Sequence, residues 1–164
     1  MIKPKKICCP VCTMADMSSP LKYNFEGVNY FFCSSQCMSR FRTHPHLYVG
    51  TPQLGKSAKQ EHEVVLKKRR IYLNEKTDNT LKKALLESLQ TLMGVKEVSL
   101  NKQELSVTYD LLEVSLETIE KNIEVSAAKL RKTLLDSIKR GIIHYSEDCE
   151  LENLAHLSKE GSCH

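Results

Sequence analysis

No run in this sequence approaches the eighteen or more apolar residues of a membrane span, and its first stretch, MIKPKKICC, is basic without an apolar core of signal-peptide length. The expectation is a soluble, cytoplasmic protein. There is also no Walker-type phosphate loop, no dinucleotide fingerprint and no HExxH helix, so no motif signals nucleotide or metalloprotease chemistry. No Ser, His, Asp arrangement has a sequence signature, although such triads are assembled by the fold. Proline and phenylalanine are both absent after residue 52, where the chain turns to Leu, Glu and Lys. That shift divides the chain in two. At 164 residues and 41% hydrophobic content it can bury one ordinary core, or a small stapled unit beside a compact domain.

Five of the seven cysteines precede residue 53. In a reducing compartment an odd count of thiols favours metal binding over disulfides. Charge is uneven as well: residues 1–50 carry six basic and two acidic side chains, residues 51–70 six and two, and residues 71–164 twelve and sixteen. The stretch KKRR at Lys67 to Arg70 can attract phosphate or an acidic partner. Its residues alternate across the two faces of a strand and few aromatics accompany them to stack bases, so a solvated patch is the simpler reading and nucleic acid is not the expected partner.

From Leu21 the pattern LKYNFEGVNYFFC predicts a hairpin turning at Glu26 and Gly27. Ser34 or Ser35 can cap a short helix through QCMSRFRTH that stops at His44 and Pro45. HPHLYVGTPQLG reads as a turn-rich closing piece and GKSAKQ as linker. The predicted divisions are a module over 7–50, a linker over 51–62, a domain over 63–146 and a short helix with tail over 147–164.

The second region opens with a strand over about Val64 to Asn74. Thr77 or Asp78 caps a helix in which Leu81, Leu85, Leu89 and Leu92 recur, ended by Gly94. VKEVSLN and ELSVTYD alternate at period two around Lys102 and Gln103, which predicts a hairpin. Leu116 to Ile138 mark a long helix or a broken pair ended by Gly141, and IIHY supplies a last strand. The expected class is α+β: a small metal-binding module, then a ferredoxin-like βαββαβ domain with two helices on a four-stranded antiparallel sheet.

The chemistry concentrates in CCPVCTM and YFFCSSQC. Cys9 and Cys12, two residues apart, turn both sulfurs toward one point, and Cys33 and Cys37 lie one helical turn apart. Four thiolates suit Zn2+, with Cu+ or another soft ion as the alternative. Cys8 is the surplus thiol, outside the site or exchanging with Cys9. Buried thiols packed under aromatics are the competing account. Met14 and Met17 are thioethers near Cys12 and equally fillers of an irregular core. His44 and His46 are a helix stop with solvent-facing imidazoles or a separate weak site; His62, His144 and His156 are dispersed, and Cys149, Cys163 and His164 belong to a tail region. Glu75 and Asp78 serve as solvated caps as readily as an acid/base pair, so no enzyme is expected.

These residues resemble a known family. CPVCTM at Cys9 to Met14, the stretch from Tyr23 to Cys37, and Phe41, Pro45 and Tyr48 are similar to the YHS domain and the related TRASH-type cysteine finger. The resemblance implies a treble-clef-like zinc- or heavy-metal-binding module, found with copper-transporting ATPases and metal-responsive regulators, and so a partner such as a metal transporter. By position it carries Cys12, Cys33 and Cys37 as ligands; Cys9 stands where many YHS members have Asp and matches the first thiol of the TRASH pattern. Thr13 stands where the family often has Gly. More weakly, residues 92–119 resemble the heavy-metal-associated domain of copper chaperones, whose two cysteines fall at Asp78 and Leu81 here. Neither is a thiol, which implies that fold without the copper site.

Overall fold

The computed structural model describes residues 7–156 apart from 16, 54, 75, 76, 127–129 and 132. It is a mixed α/β structure with two small antiparallel sheets. The chain divides into two units, Met1–Glu63 with Glu152–His164, and Val64–Leu151. Among the described residues no helix is long and apolar enough to cross a membrane.

In the first unit, strands β1 (Leu21–Phe25) and β2 (Val28–Phe32) form the expected hairpin, with Tyr23 opposite Tyr30. Glu26 and Gly27 both take positive φ, 49° and 80°, the twist that a two-residue turn needs to keep its strands paired. Helix α1 (Ser35–Thr43) follows, its first turn capped by Ser34, whose hydroxyl accepts from the Cys37 amide. A short 3-10 turn, Pro45–Leu47, closes it.

Phe41 of α1 is the centre of the small core. Its ring meets those of Tyr30 at 5.0 Å, Phe32 at 5.1 Å, Phe25 at 5.7 Å, Tyr48 at 5.8 Å and Tyr23 at 6.3 Å. Each such pair adds about 0.5–1.5 kcal/mol beyond burial.

The stretch expected as a linker over 51–62 is folded instead. Ser57 and Ala58 are buried, the Lys59 amide donates to the Leu47 carbonyl, and Gln60 Oε1 accepts from the amides of both Gly50 and Ser57. A Cβ at Gly50 would lie 2.0 Å from the Gly55 carbonyl, so only glycine permits this closure. Polar composition suggested a linker, and side-chain hydrogen bonds to the backbone made a fold of it.

The second unit contains β3 (Leu66–Tyr72), α2 (Asn79–Thr91), β4 (Val95–Asn101), β5 (Glu104–Asp110), α3 (Leu116–Val125) and most of α4 (Leu134–His156). Asp78 caps α2, and Gly94, at φ 91°, turns the chain into β4. The sheet order is β3-β5-β4, antiparallel throughout. Leu85 and Leu89 of α2 and Leu116, Ile119 and Ile123 of α3 are buried, as are Leu105, Val107 and Tyr109 of β5. Leu81, expected in that row, is exposed.

The expected fourth strand is not formed: residues 142–145, IIHY, lie within α4, and the sheet has three strands among the described residues. On the outer edge of β3, Leu130 makes a single antiparallel bridge to Leu73, with the Arg131 amide donating to the Tyr72 carbonyl. Gly141 does not end the helix either. Glycine inside a helix costs about 1 kcal/mol, and the buried row that continues through Glu147 and Leu151 outweighs both that cost and the β-propensity of IIHY. The acidic stretch expected as a separate short helix is therefore the second half of α4, and the helix pair breaks earlier, between Val125 and Leu134.

Candidate metal centre

Two pieces of backbone bring the thiols together. After Cys9 the chain turns sharply, with the Thr13 amide donating to the Cys9 carbonyl and the Cys9 amide to the Met14 carbonyl, both at 2.9 Å. Cys33 directly follows β2, and Cys37 sits in the first turn of α1. That turn presents backbone N–H groups and the positive end of the helix dipole, both of which favour thiolate.

Cys9, Cys12, Cys33 and Cys37 place their Sγ atoms within 4.8 Å of one another. Cys12 and Cys33 are 3.3 Å apart and Cys33 and Cys37 3.6 Å. A disulfide needs about 2.05 Å, so these are separate thiols. Tetrahedral zinc, with Zn–S of about 2.3 Å, sets sulfurs about 3.8 Å apart, and the cluster brackets that spacing. Cys9 and Cys37 are buried, whereas Cys12 and Cys33 are half-buried. Cys12 and Cys33 are thus the less enclosed pair of the four.

The electrostatics call for a cation. Hydrogen bonds from Cys12 and then Cys37 lower the Cys9 thiol far below its usual value. The same partners, Cys12 first and then Cys9, push Cys37 up. For Cys12 the bond with Cys37 pulls down, but Cys9, burial and Cys33 together prevail and it is pushed up to about 12. Of these three thiols, Cys9 is favoured as the thiolate and ionisation of Cys12 and Cys37 is opposed. A divalent ion removes that conflict and releases the remaining protons.

The other candidate residues do not join the cluster. Cys8 is exposed beside Cys9, and Met14 is exposed while its carbonyl serves the knuckle. Met17 is half-buried. His44 and His46 are half-buried rather than solvent-facing, with the His46 ring edge-on to Phe25 at 6.0 Å. His62 takes positive φ, 63°, in the closing turn. His144 lies 3.1 Å from Glu120 in the second unit. Asp78 is committed to capping α2, and Cys149 is a half-buried residue of α4. Glu75, Cys163, His164 and the side chain of His156 lie outside the described residues.

Sequence reasoning did not foresee the strain at Thr13. Its φ of 63° places a β-branched residue in the left-handed region, held by a 2.6 Å hydrogen bond from its hydroxyl to the Cys12 carbonyl. Its signal was the family's glycine at that position.

A search of curated proteins finds no significant match to the chain. The YHS domain model matches residues 8–52, the segment that holds all four clustered cysteines, and the match and the cluster together point to metal binding.

Proposed function

We propose that the protein is a non-enzymatic metal-binding protein that holds Zn2+ on Cys9, Cys12, Cys33 and Cys37 and works in the handling or sensing of heavy metals in the cytoplasm. The observation that carries this reading is the convergence of four Sγ atoms within 4.8 Å, two of them on half-buried residues. Four protein thiolates fill a tetrahedral site as a structural ion requires; a site that passes or senses an ion needs in addition a face from which a ligand can be exchanged. Cys12 and Cys33 form that face, with the exposed Cys8 close in sequence as an incoming thiol. Cu+ is the soft alternative for the same donors.

The module is read as treble-clef-like. The order β3-β5-β4 is that of a ferredoxin-like sheet lacking its outer strand, which supports a degenerate heavy-metal-associated unit without copper thiols. Its expected partner is a metal transporter or another protein of metal handling.

The test is transfer of zinc to a competing chelator. Cys8→Ser should slow transfer without changing the stoichiometry. Zinc that resists transfer equally in both proteins would favour a second reading, an adaptor with structural zinc that docks a protein or nucleic acid through the second unit. That reading draws on Lys68 and Arg70, exposed on β3, and predicts strongly salt-dependent association. Three of the four basic residues of this strand are already engaged: Lys67 bonds Glu150 at 2.8 Å, Arg69 lies 3.8 Å from Glu147 and Arg70 3.9 Å from Glu104.

A further inference from the structure

Helix α4 is apolar on two sides. One side carries the buried Glu147 and Leu151 with the half-buried Ile143. The other exposes Leu134, Leu135, Ile138, Ile142 and Tyr145, from 50% to 78% of each residue. Leu135, Ile138, Ile142 and Tyr145 recur at alternating steps of three and four, the spacing of a coiled-coil seam, and run along about 15 Å of helix. A surface helix ordinarily shows water a polar face on this side.

Charge on the same helix selects the occupant. Its first half carries Lys139 and Arg140 against Asp136, and its second half carries Glu147, Asp148, Glu150 and Glu152 with no Lys or Arg. Exposed Asp148 and Glu152 extend the edge of the apolar row. Two parallel copies would set these carboxylates side by side. Two antiparallel copies keep the two acidic halves apart and bring each past the positive end of the other helix's dipole, where Arg131 is already paired with its own Asp136 at 2.8 Å.

We propose that α4 is the interface of an antiparallel, two-fold symmetric dimer of this chain. A two-fold axis level with residue 140 sets Ile138 on Ile142 of the second copy and Leu135 on Tyr145 of the second copy, each layer occurring twice. Gly141 lies next to that axis. An added Cβ there would meet nothing within 4 Å, so a side chain introduced at 141 does not disturb its own chain.

Sedimentation equilibrium of the full chain should show a concentration-dependent dimer. Ile142→Asp and Tyr145→Asp should each weaken it by about tenfold or more, since each sets a charge in a desolvated seam. Both positions are exposed in the single chain, so its fold tolerates the change. Val125→Asp, at an exposed apolar residue of α3 outside the seam, should leave the dimer unchanged and so exclude general stickiness. Orientation is read by oxidation of the zinc-loaded protein in a Cys8→Ser, Cys149→Ser, Cys163→Ser background: Gly141→Cys should cross-link to itself, while Leu135→Cys should not, because antiparallel pairing holds the two copies of residue 135 about 15 Å apart. A monomer up to about 100 µM, a dimer indifferent to Ile142→Asp, or self-linking of Leu135→Cys would each overturn the proposal.

Discussion

Glu147, near the middle of α4, accepts the phenolic hydrogen of Tyr109 on β5, and both side chains are buried. Its second oxygen accepts the Leu116 amide at 2.9 Å, which opens α3. One carboxylate thus joins helix, sheet and helix in the second unit, and burial followed by this bond pushes the Tyr109 hydroxyl far above its ordinary range. Glu147→Ala should destabilise the unit by about 2–4 kcal/mol, because it leaves a hydroxyl and an amide unsatisfied in the core. Glu147→Gln, which keeps one acceptor, should cost about half as much. Urea unfolding followed by circular dichroism measures both.

Metal removal should act on one unit only. The module over 7–50 has a core of few side chains around Phe41, too little burial to fold unaided, so ion binding supplies much of its stability. Chelation should abolish the tertiary signals of Tyr23 and Tyr30 while amides of β3, β4 and β5 keep their dispersed resonances. A first unit that stays folded in a verified metal-free sample would sink this prediction.

Thr13 occupies a conformation that suits glycine. Thr13→Gly should stabilise the metal-loaded protein by about 1 kcal/mol, relief of left-handed strain exceeding the loss of the bond to the Cys12 carbonyl. Thermal unfolding of the loaded variant reads the sign directly, and a lower midpoint would show that the hydroxyl matters more than the strain.

Glu120 gives the second unit a pH dependence. Burial raises its carboxyl above the usual range, against the pull of His144 and Arg140. The folded state therefore binds this proton more tightly than the unfolded chain. Its contribution is full below the ordinary carboxylate pKa and is lost as pH rises through the elevated one. Stability of the wild-type unit should fall relative to Glu120→Gln from about pH 4 upward. Parallel profiles for the two proteins would contradict the assignment.

The module was the legible part. The C-x2-C and C-x3-C spacings placed four thiols, and the aromatic alternation placed the hairpin, because the short core leaves each residue one role. In the second region β3, α2 and the β4–β5 hairpin followed from periodicity and caps. The fold of 51–62 was hidden in the hydrogen bonds of Gln60, which leave no periodic trace. IIHY reads as a strand because three β-prone residues, Ile142, Ile143 and Tyr145, follow a glycine. Only the packing of Glu147 and Leu151, one and two turns beyond, keeps that segment helical.

The central claim is a metal held by four thiolates, and sulfur-sensitive X-ray absorption on protein purified without added metal, with elemental analysis of the same sample, tests it most directly. The account predicts one zinc per chain in a shell of four sulfurs at about 2.3 Å, with the Cys9→Ser and Cys37→Ser proteins losing the ion. A protein that neither retains nor takes up a thiophilic ion, or an ion bound through nitrogen and oxygen alone, would contradict it.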